Sequence, residues 1–486
     1  MSYADEMFNK FRDESGRCFA VWAVEYINIE TLPPKKLIIN NIELPIFLIK
    51  HHFRMKSTFF LTFCAGYGLA KAADNSSTKS PILHLNEDDN FHFDILTGLG
   101  QAHNDGADIN PVLSVAKDII PGDFESYSKA WFELANMTKA QVLDPEIAYD
   151  PLNVRATWFS IANYFRRADV YNRADWDDPR INDYWGEQRF AFDKAIAALP
   201  VPGERVELPS DSFNISGIWY SQPQANNSTM KHPTLILTQG FDAAQEDLYS
   251  TIVAPGLARG YNIFSFEGPG QPTPRREQGV GFIPDWERTV TPAVDYLLTE
   301  KAAFVDPKKL SLYGHSFGGY LAARAAVFEP RLSALMLNGG VLDGYEAYTN
   351  FLPPKLLKIL ESGQKEAFDK AMDDLLHDPD ASTDLKWGML QAKWAFKTES
   401  IYDFFQMTKE YTLKGGLLDR IKIPVWLADG EYETLMAGQS QLVKDKLGDN
   451  AELHFFNGTA GFHCQTGATQ ELARVLFAWL DKVLDS

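Results

Sequence analysis

From residue 234 onward, short apolar runs alternate with stretches of helical spacing, and this alternation restricts the fold more than any other feature. The runs are 234–238, 262–266, 309–313, 334–338, 425–428 and 452–456. Helical stretches lie at 246–259, 286–299, 318–328 and 469–483, and a long helical interruption covers roughly 345–418. A strand with no polar face must be covered on both sides, and a helix between successive strands lets them run parallel. The expected class is therefore α/β, a mostly parallel sheet with helices on both faces. Two further strands are expected at 205–208 and 215–220, just before the alternation.

Upstream, residues 91–199 read as helical. Gly122-Asp123-Phe124 opens an amphipathic run to 137 that carries Trp131, Phe132 and Leu134, and 156–171 carries Trp158, Phe159, Tyr164 and Phe165. Core packing is the simplest role for these aromatics. The expected organisation is a helical N-terminal domain over 1–200, with 1–90 hard to read, and an α/β domain over 201–486 with a lid insertion at about 345–418. The stretch 37–72 is the one membrane-like region. Its apolar parts are split by Lys50, His51, His52, Arg54 and Lys56. The cleaner part, 57–70, falls short of the ~18 residues of a spanning helix, so packing is expected there rather than stable membrane insertion.

With 65 acidic against 46 basic residues the net charge is −19, which disfavours nucleic acid and anionic membranes as partners in the absence of a basic patch. Cys18, Cys64 and Cys464 form neither a disulfide framework nor a paired metal motif, which suits a reducing compartment. The start Met1-Ser2-Tyr3-Ala4-Asp5-Glu6 lacks the basic and apolar regions of a secretory leader, so a cytoplasmic location is expected.

The strongest chemical signal is Gly314-His315-Ser316-Phe317-Gly318-Gly319, directly between an apolar run and a helical stretch. Glycines two residues either side of Ser316 let the chain turn sharply, lift the hydroxyl above the sheet edge, and leave the Phe317 N–H at a helix start, facing a developing oxyanion. A serine needs a base, expected after the last strand, where Gly458-Thr459-Ala460-Gly461-Phe462-His463-Cys464-Gln465 offers His463. The orienting acid is expected after the preceding strand, in Asp429-Gly430-Glu431-Tyr432-Glu433. Its distance beyond the strand-end glycine favours Glu433, with Glu431 and Asp429 as alternatives. A second oxyanion donor is expected in Thr238-Gln239-Gly240-Phe241-Asp242, from the N–H of Phe241 or of Asp242, whose side chain also serves as a candidate loop anchor or substrate contact. Gly268-Pro269-Gly270-Gln271 is expected to shape the site rim.

These segments, together with His463-Cys464-Gln465-Thr466-Gly467-Ala468, resemble one branch of the α/β-hydrolases. That branch includes fungal heptaketide chain-shortening hydrolases and bacterial dihydroxypseudooxynicotine hydrolase, and its members are often labelled acylaminoacyl-peptidase-like. The resemblance spans roughly 91–486 and extends to Gly98-Leu99-Gly100-Gln101-Ala102-His103. It implies an α/β-hydrolase fold, a helical domain covering the site, and cleavage of C–C bonds next to ketones or action on polyketide-type carbonyls. Glu433 stands where most members carry aspartate, and Pro272 where glycine is common. By the same resemblance, a carboxylate after 334–338 assists the carbon leaving group, with Asp343 and Glu346 as candidates; a helix-start acid is the plainer reading.

The expected function is a serine hydrolase of a ketone- or ester-bearing secondary metabolite, needing no metal or organic cofactor. Its expected partner is a small-molecule substrate, with a homodimer as an option. Condensation or cyclisation by the same triad, and a non-catalytic binder on the same fold, are the alternatives.

Overall fold

The computed structural model describes residues 37–39, 42–44, 80–146, 148–223 and 230–485. Two units divide the chain, Met1–Thr78 and Lys79–Ser486. In the first, β1 (Leu37–Ile39) pairs antiparallel with β2 (Ile42–Leu44). The rest of the membrane-like stretch, 57–70 included, lies outside the described residues.

The second unit begins with α1 (Asp89–Gly100), α2 (Ile109–Asp118), α3 (Phe124–Leu143), α4 (Pro151–Asp169) and α5 (Arg180–Ala197). Asp88, Asp123 and Asp150 sit extended just before α1, α3 and α4, and each carboxylate accepts first-turn amides, an arrangement worth about 1 kcal/mol per helix. The expected 122–124 start is such a cap.

The strands that follow are β3 (Glu204–Pro209), β4 (Asn214–Tyr220), β5 (His232–Thr238), β6 (Asn262–Glu267), β7 (Val305–His315), β8 (Ala334–Asn338), β9 (Val425–Gly430) and β10 (Ala451–Phe456). They form one sheet in the order β10-β9-β8-β7-β5-β6-β4-β3. β5 to β10 are parallel, whereas β4 runs antiparallel to both β3 and β6.

Strand alternation divides the core in two. Ile236, Leu312, Leu335, Leu337 and Leu427 point to one face; Leu235, Leu237, Tyr313, Met336 and Trp426 point to the other. Each such side chain, fully buried, contributes roughly 1.5–3 kcal/mol. The first face is covered by α7 (Glu287–Thr299), α8 (Gly318–Ala326) and helices of the insertion between β8 and β9. That insertion contains α9 (Gly344–Thr349), α10 (Pro354–Glu361), α11 (Lys365–Leu376), α12 (Thr383–Phe396) and α13 (Ile401–Thr408), and α6 (Pro272–Glu277) precedes α7 in the chain. The second face packs against α1–α5 and the closing helix α15 (Thr469–Leu484); α14 (Gln439–Leu447) lies between β9 and β10.

The sequence reading departs from the structure at 246–259, where one helix was expected. A 3₁₀ turn (Gln245–Leu248), a π turn (Tyr249–Val253) and a short α turn (Ala254–Leu257) stand there instead. Pro255 lacks the N–H that would bond back to Thr251, and the Ala254 N–H reaches the Tyr249 carbonyl, so the regular ladder cannot run through.

Candidate active site

The strand–serine–helix turn is built from close backbone approaches. Ser316 joins β7 to α8 with φ of +57°, a left-handed conformation that costs a non-glycine residue free energy. Its N–H donates to the Asn338 carbonyl at 2.7 Å, and its carbonyl accepts from Gly319 at 2.8 Å. A Cβ on Gly314 would strike the Gly318 carbonyl, and one on Gly319 would strike the Gly339 carbonyl. A Cβ on Gly240 would meet Ser316 Cβ at 2.9 Å and Phe317 N at 3.1 Å, so the loop after β5 rests directly on the serine. Only glycine fits at these contacts.

His463 Nε2 lies 2.8 Å from Ser316 Oγ, and His463 Nδ1 lies 2.5 Å from Glu433 Oε2. The other oxygen of Glu433 accepts the Leu435 and Met436 N–H groups at 2.8 and 3.0 Å. Burial opposes ionisation of Glu433, but His463 and these amides outweigh it and hold its carboxyl below the usual range. Burial likewise opposes a charged imidazole, yet the Cys464 sulfur and the Glu433 carboxylate lift His463 well above its ordinary value. Both side chains are nearly enclosed, at 10% and 7% exposed, so their pairing is little screened. An imidazole held this way has one nitrogen fixed by a carboxylate and the other on a hydroxyl, the arrangement that can draw a proton from Ser316.

The two other candidate acids are otherwise engaged. Glu431 accepts the Gly458 N–H at 2.8 Å, bracing the loop that leads to His463. Asp429 accepts the Gly430 N–H at 2.9 Å, and burial, with no cation strong enough to offset it, pushes its carboxyl up.

The N–H groups of Phe317 and Phe241 have no acceptor among the described residues. The Asp242 carboxylate lies 3.8 Å from Arg166, and its carbonyl accepts from the same guanidinium at 2.8 Å, which anchors the loop to α4. Around the two donors the Tyr348 ring sits 5.7 Å from both Phe241 and Phe317, and Phe396, Tyr411 and Trp387 continue an aromatic wall.

Asp343 and Glu346 make no hydrogen bond to Ser316, His463 or Glu433 among the described residues. Asp343 caps α9 through the Glu346 N–H at 2.9 Å, and Lys414 Nζ reaches Asp343 at 3.1 Å and Glu346 at 2.5 Å. Helix capping and ion pairing give both acids a structural role. Asp343→Ala is accordingly expected to lower stability by about 1 kcal/mol, read from denaturant unfolding, and to leave the rate on an activated ester within about twofold.

The sequence reading missed Asn338. Its carbonyl accepts from Ser316 N and from Cys464 Sγ (3.5 Å), and its amide donates to Tyr313 Oη at 3.0 Å and Gln465 Oε1 at 2.9 Å. It therefore ties the serine turn to the histidine turn, in which Cys464 and Gln465 both have positive φ. A polar residue closing the apolar run 334–338 was its only local signal. Phe93 of α1, whose ring lies 6.4 Å from that of His463, had none.

Residues 235–458 match the sequence profile of the alpha/beta hydrolase family. The 20-hydroxy-prefusarin hydrolase FUS2 of Gibberella moniliformis is 32% identical over 409 residues, 81% of this chain and 96% of that protein. The chain belongs to the alpha/beta hydrolase family. The hydrolase LUC6 of a Fusarium species is similar to it at 30% identity over 406 residues, covering 81% of the chain and 96% of LUC6. The crystal structure of 2,6-dihydroxy-pseudo-oxynicotine hydrolase shares the fold, with a TM-score of 0.60 and 19% identity over 79% of this chain and 95% of that one. Among the described residues of this hydrolase, no helix is long and apolar enough to cross a membrane.

Proposed function

We propose that this chain is a serine hydrolase cleaving a C–C or ester bond beside a carbonyl in a polyketide-type metabolite. The observation that carries the proposal is the continuous chain Ser316–His463–Glu433 at the C-terminal end of the sheet. Ser316 Oγ attacks the carbonyl carbon and its proton passes to His463 Nε2, while Glu433 keeps the imidazole oriented and stabilises its charge. The tetrahedral oxyanion is held by the Phe317 N–H and by the loop of Phe241. Collapse expels an alkoxide, or an enolate if the bond is C–C, which takes the proton from His463. Water then adds to the acyl carbon with His463 again as base, releasing a carboxylic acid and free Ser316.

The substrate class is supported by FUS2, named for a prefusarin substrate, and by the aromatic wall of Phe241, Phe317, Tyr348, Phe396 and Tyr411. Such rings suit a flat, conjugated chain. In this reading the helices of 344–408 act as a lid and α1–α5 as a cap. The test is reaction with a fluorophosphonate, followed by peptide mass spectrometry and product analysis. Label on Ser316 and products that together exceed the substrate mass by one water are expected. Label elsewhere would overturn the nucleophile assignment. A product of unchanged mass would replace hydrolysis with cyclisation.

A further inference from the structure

Four successive carbonyls at the end of β5 and in the loop after it, those of Gln239 to Asp242, are held by three buried side chains from different parts of the chain. Gln271, from the loop after β6, donates to the Gly240 carbonyl at 3.3 Å and to that of Gln239 at 2.7 Å. Gln391, on α12 of the insertion, donates to the Phe241 carbonyl at 3.2 Å. Arg166, on α4, donates to the Asp242 carbonyl at 2.8 Å. All three are almost fully enclosed: Gln271 is 0% exposed, Gln391 3% and Arg166 3%.

Each bond fixes the rotation of one peptide plane. The peptides here are trans, so the N–H after a held carbonyl points the opposite way. Beyond Gly240, the N–H groups fixed in this manner belong to Phe241, Asp242 and Ala243, and none has an acceptor among the described residues. Gly240 rests against Ser316 Cβ and Phe317 N, so the Phe241 peptide begins at the serine itself.

The donors are themselves anchored. Gln271 Oε1 accepts the Gly268 N–H at 2.9 Å. Arg166 also donates to Asp247 at 3.1 Å, and Asp247 accepts the Ala244 N–H at 2.8 Å, closing the far end of the loop. On α12, Trp387 donates to the Val170 carbonyl just beyond α4 and stands edge-on to Phe241 with ring centroids 6.5 Å apart. The insertion thus bridges the N-terminal helices and the loop.

We infer that Gln271, Gln391 and Arg166 are positioning residues that set successive peptide planes of the oxyanion-hole loop, Gln271 the one that carries the Phe241 N–H and Gln391 and Arg166 the next two, carrying the Asp242 and Ala243 N–H groups, making the hole depend on docking of both helical layers against the sheet. The inference rests on the serine-hydrolase reading above. It gives the insertion and the N-terminal helices a part in transition-state stabilisation beyond covering the substrate. Without any one bond, the corresponding peptide plane can rotate and the N–H spends part of its time turned away from the oxyanion.

The test uses the full chain with nitrophenyl acetate as substrate and phenylboronic acid as a probe whose tetrahedral adduct on serine presents an oxygen to the hole. Loss of one oxyanion donor outright typically costs 10²–10³ in rate, so loss of a contact that only orients it is expected to cost about tenfold. Gln271→Leu, which frees the Phe241 peptide, and Gln391→Leu and Arg166→Lys, which free the two peptides after it, should each lower kcat by about tenfold with KM within about twofold, and weaken phenylboronic acid by the same factor. Gln391→Asn, which keeps the donor on a shorter arm, should recover part of both. A fall in kcat with unchanged boronate affinity would overturn the inference, and so would unchanged kcat and boronate affinity in a folded variant. Arg166→Lys carries the same test if Gln391→Leu fails to fold. Failure of wild type to take fluorophosphonate on Ser316 would overturn the hydrolase reading instead, independently of these variants.

Discussion

Ser316→Ala is expected to lower turnover by about 10⁴-fold or more without disturbing the fold. Its backbone stands at φ +57°, wedged between Asn338 and Gly319. Alanine is no larger than serine and meets the same backbone cost, so only the hydroxyl and its 2.8 Å bond to His463 are removed. Steady-state kinetics should therefore fall by four orders while circular dichroism and melting temperature stay near those of the wild type. Activity within tenfold of wild type in a normally folded variant would mean that another group attacks the carbonyl. Cys464 is the group to examine in that event, because its sulfur lies 3.6 Å from the same His463 nitrogen. The double variant Ser316→Ala/Cys464→Ala would then remove the residual rate.

What could be read along the chain was whatever depends on neighbours in sequence. The six parallel strands were legible because each is a short apolar run, and Ser316 and His463 because each follows such a run in a glycine-rich turn. Glu433 could be favoured over Asp429 and Glu431 by its distance beyond Gly430, and it is the carboxylate the fold brings to His463. What could not be read depends on partners far apart. Gln391 and Phe241 are 150 positions apart, and Arg166 and Asp242 are 76 apart, so nothing local marks either glutamine or arginine as part of a loop scaffold. Asp343 shows the converse. A helix-start carboxylate looks the same in sequence whether it serves a substrate or a cap, and the Lys414 beside it, 68 positions beyond Glu346, is visible only in the fold. The irregular run at 245–257 failed for a local reason, a proline inside an otherwise helical pattern.

Glu433→Gln is the second large effect, and it separates orientation from charge. The amide keeps the volume and can still accept the Leu435 and Met436 N–H groups. It cannot stabilise the imidazolium that forms when His463 takes the serine proton, and it can hold the imidazole in the wrong tautomer. A loss of about 10³–10⁴ in kcat is expected. The pH profile carries a further sign. His463 must be neutral to act as base, so kcat/KM rises with pH as the imidazole loses its proton. Against burial, Cys464 and Glu433 raise that pKa, so in wild type the rise should be centred above the ordinary imidazole value of about 6.5. Removing the Glu433 charge removes one of the two groups that favour the imidazolium, and the rise should move to lower pH even as the plateau falls. Glu431→Gln leaves the carboxylate on His463 in place, so its profile should keep the wild-type midpoint, and any loss should reflect only a looser Gly458 turn. A midpoint that moves with Glu431 or Asp429 and not with Glu433 would assign the orienting charge to a different carboxylate in the same loop.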